Sequence, residues 1–308
     1  MSNRISLRDK FLGGMVGTAL GDAIGELAFR RPTKAGLLSA VEDAETLVYT
    51  DDTAMAVGLA ESLIEVGGLD PQHLGHTFRT NYRDEPWRGY ASGPPTVFSK
   101  VERYGITYSE AARTLYGGEG SFGNGAAMRI APLGLLFHEA SDLYQMAELS
   151  AAVTHAHPIG IDGAAVQARA VAQAFGLNPR DVLSMDDFLE GLSATARTSE
   201  MEHKLERVRE LISKDAPPQR AAKELGQGVA VHRSLPFAIY SFLRCPDSFR
   251  DCLFCAVLNG GDRDTVGAIA CAISGAYLGA EAIPQAWRGK LENRRHIEEL
   301  AVALEGMA

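Results

Sequence analysis

Helical patterning dominates the chain. An apolar-periodic stretch runs from Leu7 to Leu27 behind Ser6, which stands three residues before Asp9 as a variant of the capping box. Asp70 followed by Pro71 places a capping side chain ahead of a proline suited to the first helical position. Ser141 with Asp142, and Asp264 with Thr265, repeat the arrangement of a polar cap before an apolar run. No alternating run of β-branched and aromatic residues bounded by turns is found, so the fold class expected is all-α. Two of the predicted helices are rich in small residues, GGMVGTALGDAIG and VGAIACAISGAYLGA. Glycine inside a helix costs about 1 kcal/mol against alanine, so its repeated use points to backbones packed close together around a buried layer.

The segment Ser213 to Gln219 (SKDAPPQ) is the best linker candidate, but apolar helices flank it on both sides, and no repeat of domain-building length occurs. One compact domain over residues 1–308 is therefore expected. Hydrophobic residues make up 46% of the chain and charged residues 22%, which excludes overall disorder. The net charge of −9 argues against non-specific nucleic-acid binding and against an anionic membrane surface. The start, MSNRISLRDKFLGG, has no continuous apolar core or cleavage site, and the charge-free run Thr265 to Ala280 falls short of the roughly 20 residues that span a bilayer. A cytoplasmic monomer is the expectation. Four cysteines do not make a disulfide scaffold, and Cys252-Leu-Phe-Cys255 lies in an apolar run without a second pair, as core cysteines do.

Two acidic clusters stand out against this background: Tyr49-Thr50-Asp51-Asp52-Thr53 and Gly260-Gly261-Asp262-Arg263-Asp264-Thr265. Each opens an apolar helix with two carboxylates and a threonine hydroxyl. Helix capping explains one such side chain, but a second adjacent carboxylate adds repulsion whose burial is costly without a cation. For either cluster alone, capping and metal binding stand level. Two matched clusters in one acidic chain favour a shared site for a hard cation such as Mg²⁺, Mn²⁺ or Ca²⁺. Residues 118–123 match GxGxxG, a weak signal when alone; the preceding AARTLY reads as helix and no βαβ unit is present, which argues against a dinucleotide fold. A glycine-rich loop entering a helix can still hold a phosphate on its N–H groups, or be no more than a tight turn. His155-Ala156-His157-Pro158 reads as the end of a helical run stopped by Pro158, where a histidine is favourable by dipole alone. Trp87, Tyr90, Tyr116 and Phe122 lie near glycine-rich turns, where a purine could stack. Among rival all-α metal enzymes, a DDxxD motif is missing because Thr53, Ala54 and Met55 follow the aspartates, and no His-Asp dipeptide occurs.

These motifs, in this order, resemble the ADP-ribosylglycohydrolases, the group that contains the dinitrogenase-reductase-activating glycohydrolase and the ADP-ribosyl-acceptor hydrolases. The resemblance rests on G-D-A-I-G at Gly21 to Gly25, Y-T-D-D-T at Tyr49 to Thr53, R-G-Y-A-S-G at Arg88 to Gly93, G-S-F-G-N-G-A-A-M-R at Gly120 to Arg129, T-H-A-H-P at Thr154 to Pro158, and G-G-D-R-D-T at Gly260 to Thr265. The loop and the R-G-Y segment look most similar to the serine-type, poly-ADP-ribose-cleaving branch. The resemblance implies an all-helical fold around two divalent cations, Mg²⁺ or Mn²⁺, with Thr50, Asp51, Asp52, Asp262, Asp264 and Thr265 as metal ligands. It also implies that Ser121, Phe122, Gly123, Asn124 and Gly125 hold the diphosphate and adjoining ribose. Tyr116 would stack on adenine, His155 would touch substrate, and Gly93 would lie near the distal ribose. Asp52 and Asp264 are the candidates to take a proton from water. The family's glutamate four residues after GDxxG is replaced by Phe29, leaving Glu26 as the residue to act as acid or gate, and Phe122 stands where the serine-type branch has tyrosine. The activity so implied is metal-dependent hydrolysis at the anomeric carbon of ADP-ribose in a modified protein or small-molecule acceptor. A non-catalytic ADP-ribose-binding relative and a hydrolase of another nucleotide derivative are the alternatives.

Overall fold

A computed structural model describes residues 5–308. Among the described residues the chain forms eighteen α-helices and two 3-10 turns. No β-sheet accompanies them, only isolated bridges between Leu47 and Leu291 and between Gly123 and Ala230. The all-α expectation holds. Ser6 accepts from the Asp9 N–H at 3.1 Å, and Asp70 accepts from Gln72 and His73 at 2.8 and 3.0 Å, so two of the sequence-predicted caps form as expected.

At the centre, the helices Leu7–Arg30 and Arg263–Leu278 pack against each other along their whole length. Their small residues explain how. Gly13, Gly17, Gly21 and Gly25 recur every fourth position along one face and meet Gly275, Cys271, Gly267 and Arg263 in turn, so the two helices run antiparallel. A Cβ at Gly21 would lie 2.2 Å from the Gly267 carbonyl oxygen, and one at Gly25 would lie 2.5 Å from Asp264 Cα. Side chains are thus excluded from the seam, and the helix-propensity cost of the glycines is offset by close backbone contact. Both helices are buried almost throughout. The helices Pro158–Gly176, Val231–Arg244, Phe249–Val257, Ala131–Leu136 and Arg294–Glu305 enclose the pair.

One apolar cluster runs from Phe11 to Leu304 and includes Leu211, Ala216 and Ala221 on and beside the SKDAPPQ segment. That segment is a packed turn: Ala216 is buried, and its carbonyl accepts from the Tyr240 hydroxyl. Cys252, Cys255 and Cys271 are buried free thiols. No helix among the described residues is long and apolar enough to cross a membrane.

Two local expectations are corrected. Pro158 does not stop a helix; it occupies the first turn of Pro158–Gly176, and His157 is that helix's N-cap, with Nδ1 accepting from the Ile159 N–H at 3.1 Å. Proline lacks only an N–H that has no partner in a first turn, so the same residue can mark a stop or a start. The run after the glycine-rich loop is two short helices, Gly125–Met128 and Ala131–Leu136, the second beginning around Pro132.

Candidate active site

The antiparallel seam determines where the two acidic clusters meet. It brings the C-terminal half of Leu7–Arg30, which carries Asp22 and Glu26, beside the start of Arg263–Leu278, which carries Asp264. The helix Asp51–Val66 then docks by its N-terminus on Asp22. Asp22 is fully buried, and its carboxylate accepts from the Thr50 N–H (3.0 and 3.1 Å), the Thr53 N–H (3.0 Å), and the hydroxyls of Thr50 (2.8 Å) and Thr53 (2.6 Å).

The sequence reading did not single out Asp22. Capping of the Asp51–Val66 helix by its own Thr50 does not occur, because Thr50 makes no side-chain cap bond. Asp22 supplies the cap from another helix, which leaves Asp51 and Asp52 free of that duty. The second cluster behaves alike: Asp262 is the N-cap position without a side-chain cap bond, while Asp264 Oδ1 accepts from the Thr265 N–H at 2.9 Å inside the first turn. Removing the Asp22 acceptor strands two buried N–H groups. Asp22→Ala is therefore expected to lose about 2–3 kcal/mol in urea unfolding, against less than 1 kcal/mol for a surface control such as Asp43→Ala.

A cavity of about 260 Å³ is lined by Asp51, Asp52, Asp262, Asp264 and Thr265, and also by Gly93, Tyr116, Ser121, Gly123, Asn124, Gly125 and His155. Twelve of the fifteen sequence-predicted site residues thus share one wall-to-wall space. Phe122 lies in an adjoining recess of about 210 Å³ with Tyr116, Ser121, Gly123 and Val229. Its ring rests edge-on against His157 at 5.1 Å. Thr50 and Glu26 lie on the other side, in a cavity of about 460 Å³ that shares Asp51, Gly89 and Asp264 with the first and adds Leu27, Val48 and Trp87. Phe29 is exposed and does not line it.

Burial and mutual repulsion dominate the electrostatics. Burial pushes Asp22 up to about 6. Burial first, then the charge of Asp22, pushes Asp51 up to about 7. Asp264 is pushed up to about 8 by burial, then by Asp262 and Asp22. Asp52, wholly buried, is driven well above the usual carboxylate range by burial, with Asp22 and Asp264 adding to it. Its Oδ1 has no hydrogen-bond partner. Among the described residues no three His, Cys, Asp or Glu side chains close into a ready-made metal cage; the carboxylates line the cavity as an open set.

The glycine-rich loop is held against this set by a segment with no motif of its own, Gln227 to Ala230. The Gln227 carbonyl accepts from the Asp262 N–H at 2.7 Å and the Val229 carbonyl from the Asn124 N–H at 2.8 Å. Asn124 Nδ2 donates to Asp262 Oδ2 at 2.6 Å, tying the loop to the second acidic cluster. A Cβ at Gly261 (φ 71°) would strike the Gln227 carbonyl at 1.9 Å, so glycine is required there. Within the loop, the Gly123 N–H is taken by Ser121 Oγ at 3.1 Å. Among the described residues, no acceptor is found for the N–H groups of Ser121, Phe122 and Gly125. His155 is buried against the loop, and burial together with the Arg129 charge lowers its imidazole to about 3.

The arrangement combines a glycine-rich loop, an aromatic recess at Tyr116 and Phe122, and an acidic floor. ADP-ribosylhydrolase ARH3 of Mus musculus is 35% identical over 340 residues, covering 96% of this chain and 90% of the mouse protein. The ARH3 of Homo sapiens is 34% identical over 336 residues, covering 96% and 92%. A solved structure described as an ADP-ribosylglycohydrolase-related protein complex superimposes with a TM-score of 0.74 at 27% identity, covering 98% of both chains. The sequence model of the family described as ADP-ribosylglycohydrolase matches residues 3–308, and the chain belongs to that family of glycosyl hydrolases.

Proposed function

We propose that this chain hydrolyses the glycosidic bond at the anomeric carbon of ADP-ribose and so releases ADP-ribose from a modified protein side chain or a related small-molecule acceptor. The observation that carries the reading is the single cavity in which the glycine-rich loop faces Asp51, Asp52, Asp262 and Asp264. The diphosphate is assigned to the free N–H groups of Ser121, Phe122 and Gly125, the adenine to the recess of Tyr116 and Phe122, and the distal ribose to the acidic floor beside Gly93. Asp52 or Asp264 takes the proton from the attacking water. The acceptor leaves toward the cavity of Val48 and Trp87, where Glu26 is placed to protonate or gate it.

Mg²⁺ or Mn²⁺ fits the donors present. The set is all oxygen, Asp52 Oδ1 is buried without a partner, and the carboxylates repel one another in the absence of a counter-charge. Thr50, Asp51, Asp52, Asp262, Asp264 and Thr265 are the residues proposed to hold two such ions. When bound they would orient ribose hydroxyls and lower the pKa of a water. An open carboxylate set suits an ion that keeps waters and takes ligands from its substrate.

The test is release of free ADP-ribose from arginine- and serine-linked peptides, O-acetyl-ADP-ribose and poly-ADP-ribose, each with Mg²⁺, Mn²⁺ or EDTA. Metal-dependent release from one member is expected and names the acceptor. ADP-ribose binding without release from any would replace the proposal with a non-catalytic role, and release of a different nucleotide product would change the bond assigned. A second check needs no substrate. Mg²⁺ or Mn²⁺ at a hundred times its dissociation constant is expected to add about 2.7 kcal/mol, a rise in melting temperature of about 4–8 °C that EDTA reverses. An unchanged melting curve would sink the metal assignment.

A further inference from the structure

Two motif residues have no part in the reading above, Arg129 of G-A-A-M-R and Thr154 of T-H-A-H-P, and both are fully buried. We propose that Arg129 and Thr154 are positioning residues that hold His155 as the Nε2–H tautomer, a fixed hydrogen-bond donor aimed at the ligand in the site cavity.

The chain of donors determines the tautomer. Arg129 Nη1 donates to Thr154 Oγ1 at 2.8 Å. A guanidinium has no lone pair to offer, so the threonine oxygen accepts. Thr154 Oγ1 lies 2.8 Å from His155 Nδ1. The oxygen has a second lone pair, but Nδ1 is the one acceptor found within reach of the hydroxyl's single hydrogen, so the arrangement that leaves no buried O–H unpartnered has Nδ1 receiving a hydrogen bond and bearing no proton. A neutral imidazole then carries its hydrogen on Nε2.

The Arg129 end is itself immobile. Nη1 also donates to the Gly125 carbonyl at 3.1 Å, Nη2 donates to the Ser150 carbonyl at 3.0 Å, and the guanidinium lies 4.7 Å from the Phe78 ring centroid. No carboxylate pairs with this cation among the described residues; its partners are carbonyls, a hydroxyl and a ring. The fixed charge next to His155 therefore disfavours an imidazolium, in line with the lowering described above.

The Nε2 edge of the ring faces the glycine-rich loop. A Cβ built at Gly123 would lie 3.4 Å from Nε2, and one at Gly125 would lie 3.0 Å from it. Both glycines and His155 line the site cavity. A ligand rich in phosphate and hydroxyl oxygens presents acceptors there. A neutral N–H meets them without placing a second positive charge in a buried wall. The tautomer rests on the pairing of the buried Thr154 hydroxyl; its use as a donor to ADP-ribose rests on the proposed function.

The experiment is ¹⁵N-detected NMR of the imidazoles at pH 7 in the full chain, with His155 assigned through His155→Gln, followed by titration with ADP-ribose. A protonated Nε2 and an unprotonated Nδ1 in the free protein, with the Nε2–H resonance moving on ADP-ribose addition, are expected. Thr154→Val should give mixed tautomers and raise KM up to about tenfold with a smaller change in kcat, while Thr154→Ser restores both signals. A protonated Nδ1 in the parent protein, or a tautomer unmoved in a folded Thr154→Val, overturns the relay. The Nε2–H tautomer with no response of its resonance to bound ADP-ribose overturns the donor role and leaves the relay standing. Failure of ADP-ribose to bind at all refutes the proposed function instead.

Discussion

Asp264→Asn is expected to yield a folded protein that melts higher than the parent in EDTA and releases ADP-ribose more than about 10³-fold more slowly. The two outcomes have opposite signs for one reason. Asp264 is held in a buried cluster where burial, Asp262 and Asp22 all oppose its charge. An amide of the same shape removes that repulsion and keeps an oxygen to accept from the Thr265 N–H. Relief of one strained active-site charge is worth about 1–2 kcal/mol, or about 2–6 °C in a melting curve taken without metal. The same change removes the proposed proton acceptor, which is also one of the proposed cation ligands, so the stabilisation by Mg²⁺ or Mn²⁺ should shrink together with turnover. Calorimetry with and without metal, beside an ADP-ribose release assay, reads all three effects. Near-parental rates in Asp264→Asn would remove this residue from the mechanism.

Gly21→Ala is expected to be strongly destabilising. The added carbon would sit 2.2 Å from the Gly267 carbonyl oxygen and 2.4 Å from the Gly267 carbonyl carbon, backbone atoms with no rotamer by which to yield. The two central helices must part, and overpacking of this kind costs about 3 kcal/mol or more. Asp22 and Asp264 stand on the two sides of that seam, so the distance between the acidic clusters changes with it. Lower stability and a weaker response to divalent cations are expected together. Gly176→Ala is the internal control: nothing lies within 4 Å of its added carbon, and it ends the Pro158–Gly176 helix. The control should match the parent or gain up to about 1 kcal/mol. Urea unfolding of the pair checks the contrast, and equal stabilities would refute the seam as the constraint.

Much of this was legible in the residues, and what was not has a physical reason. Regular spacing of small residues in the first and last long helices marks close backbone approach, because few other uses justify so much glycine in helices. The two Asp-Asp clusters were conspicuous because local capping needs one carboxylate, and the structure does place them in one cavity. Asp22 was passed over because its role is defined by Thr50 and Thr53, partners on another helix that no local window connects to it. Gln227 serves through its backbone carbonyl, so its side chain carries no signal of that use. His157 was misplaced because proline forbids helix continuation and favours helix initiation through the same missing N–H. Capping of this helix from within its own acidic cluster does not occur because Asp22, from elsewhere in the chain, accepts from the Thr50 and Thr53 N–H groups.

The antiparallel seam also imposes an order on the life of the chain. Synthesis delivers the Leu7–Arg30 helix long before the face it needs, Arg263–Leu278. Contacts so distant in sequence form late, after the entropy of closing almost the entire chain has been spent. The Asp22–Thr50 cap, by contrast, joins neighbours and can form on the nascent chain. The Asp51 and Asp52 half of the carboxylate set can therefore be in place before Asp262 and Asp264 are synthesised. A fragment that stops short of Asp262 thus lacks both the second acidic cluster and the face on which the Leu7–Arg30 helix packs.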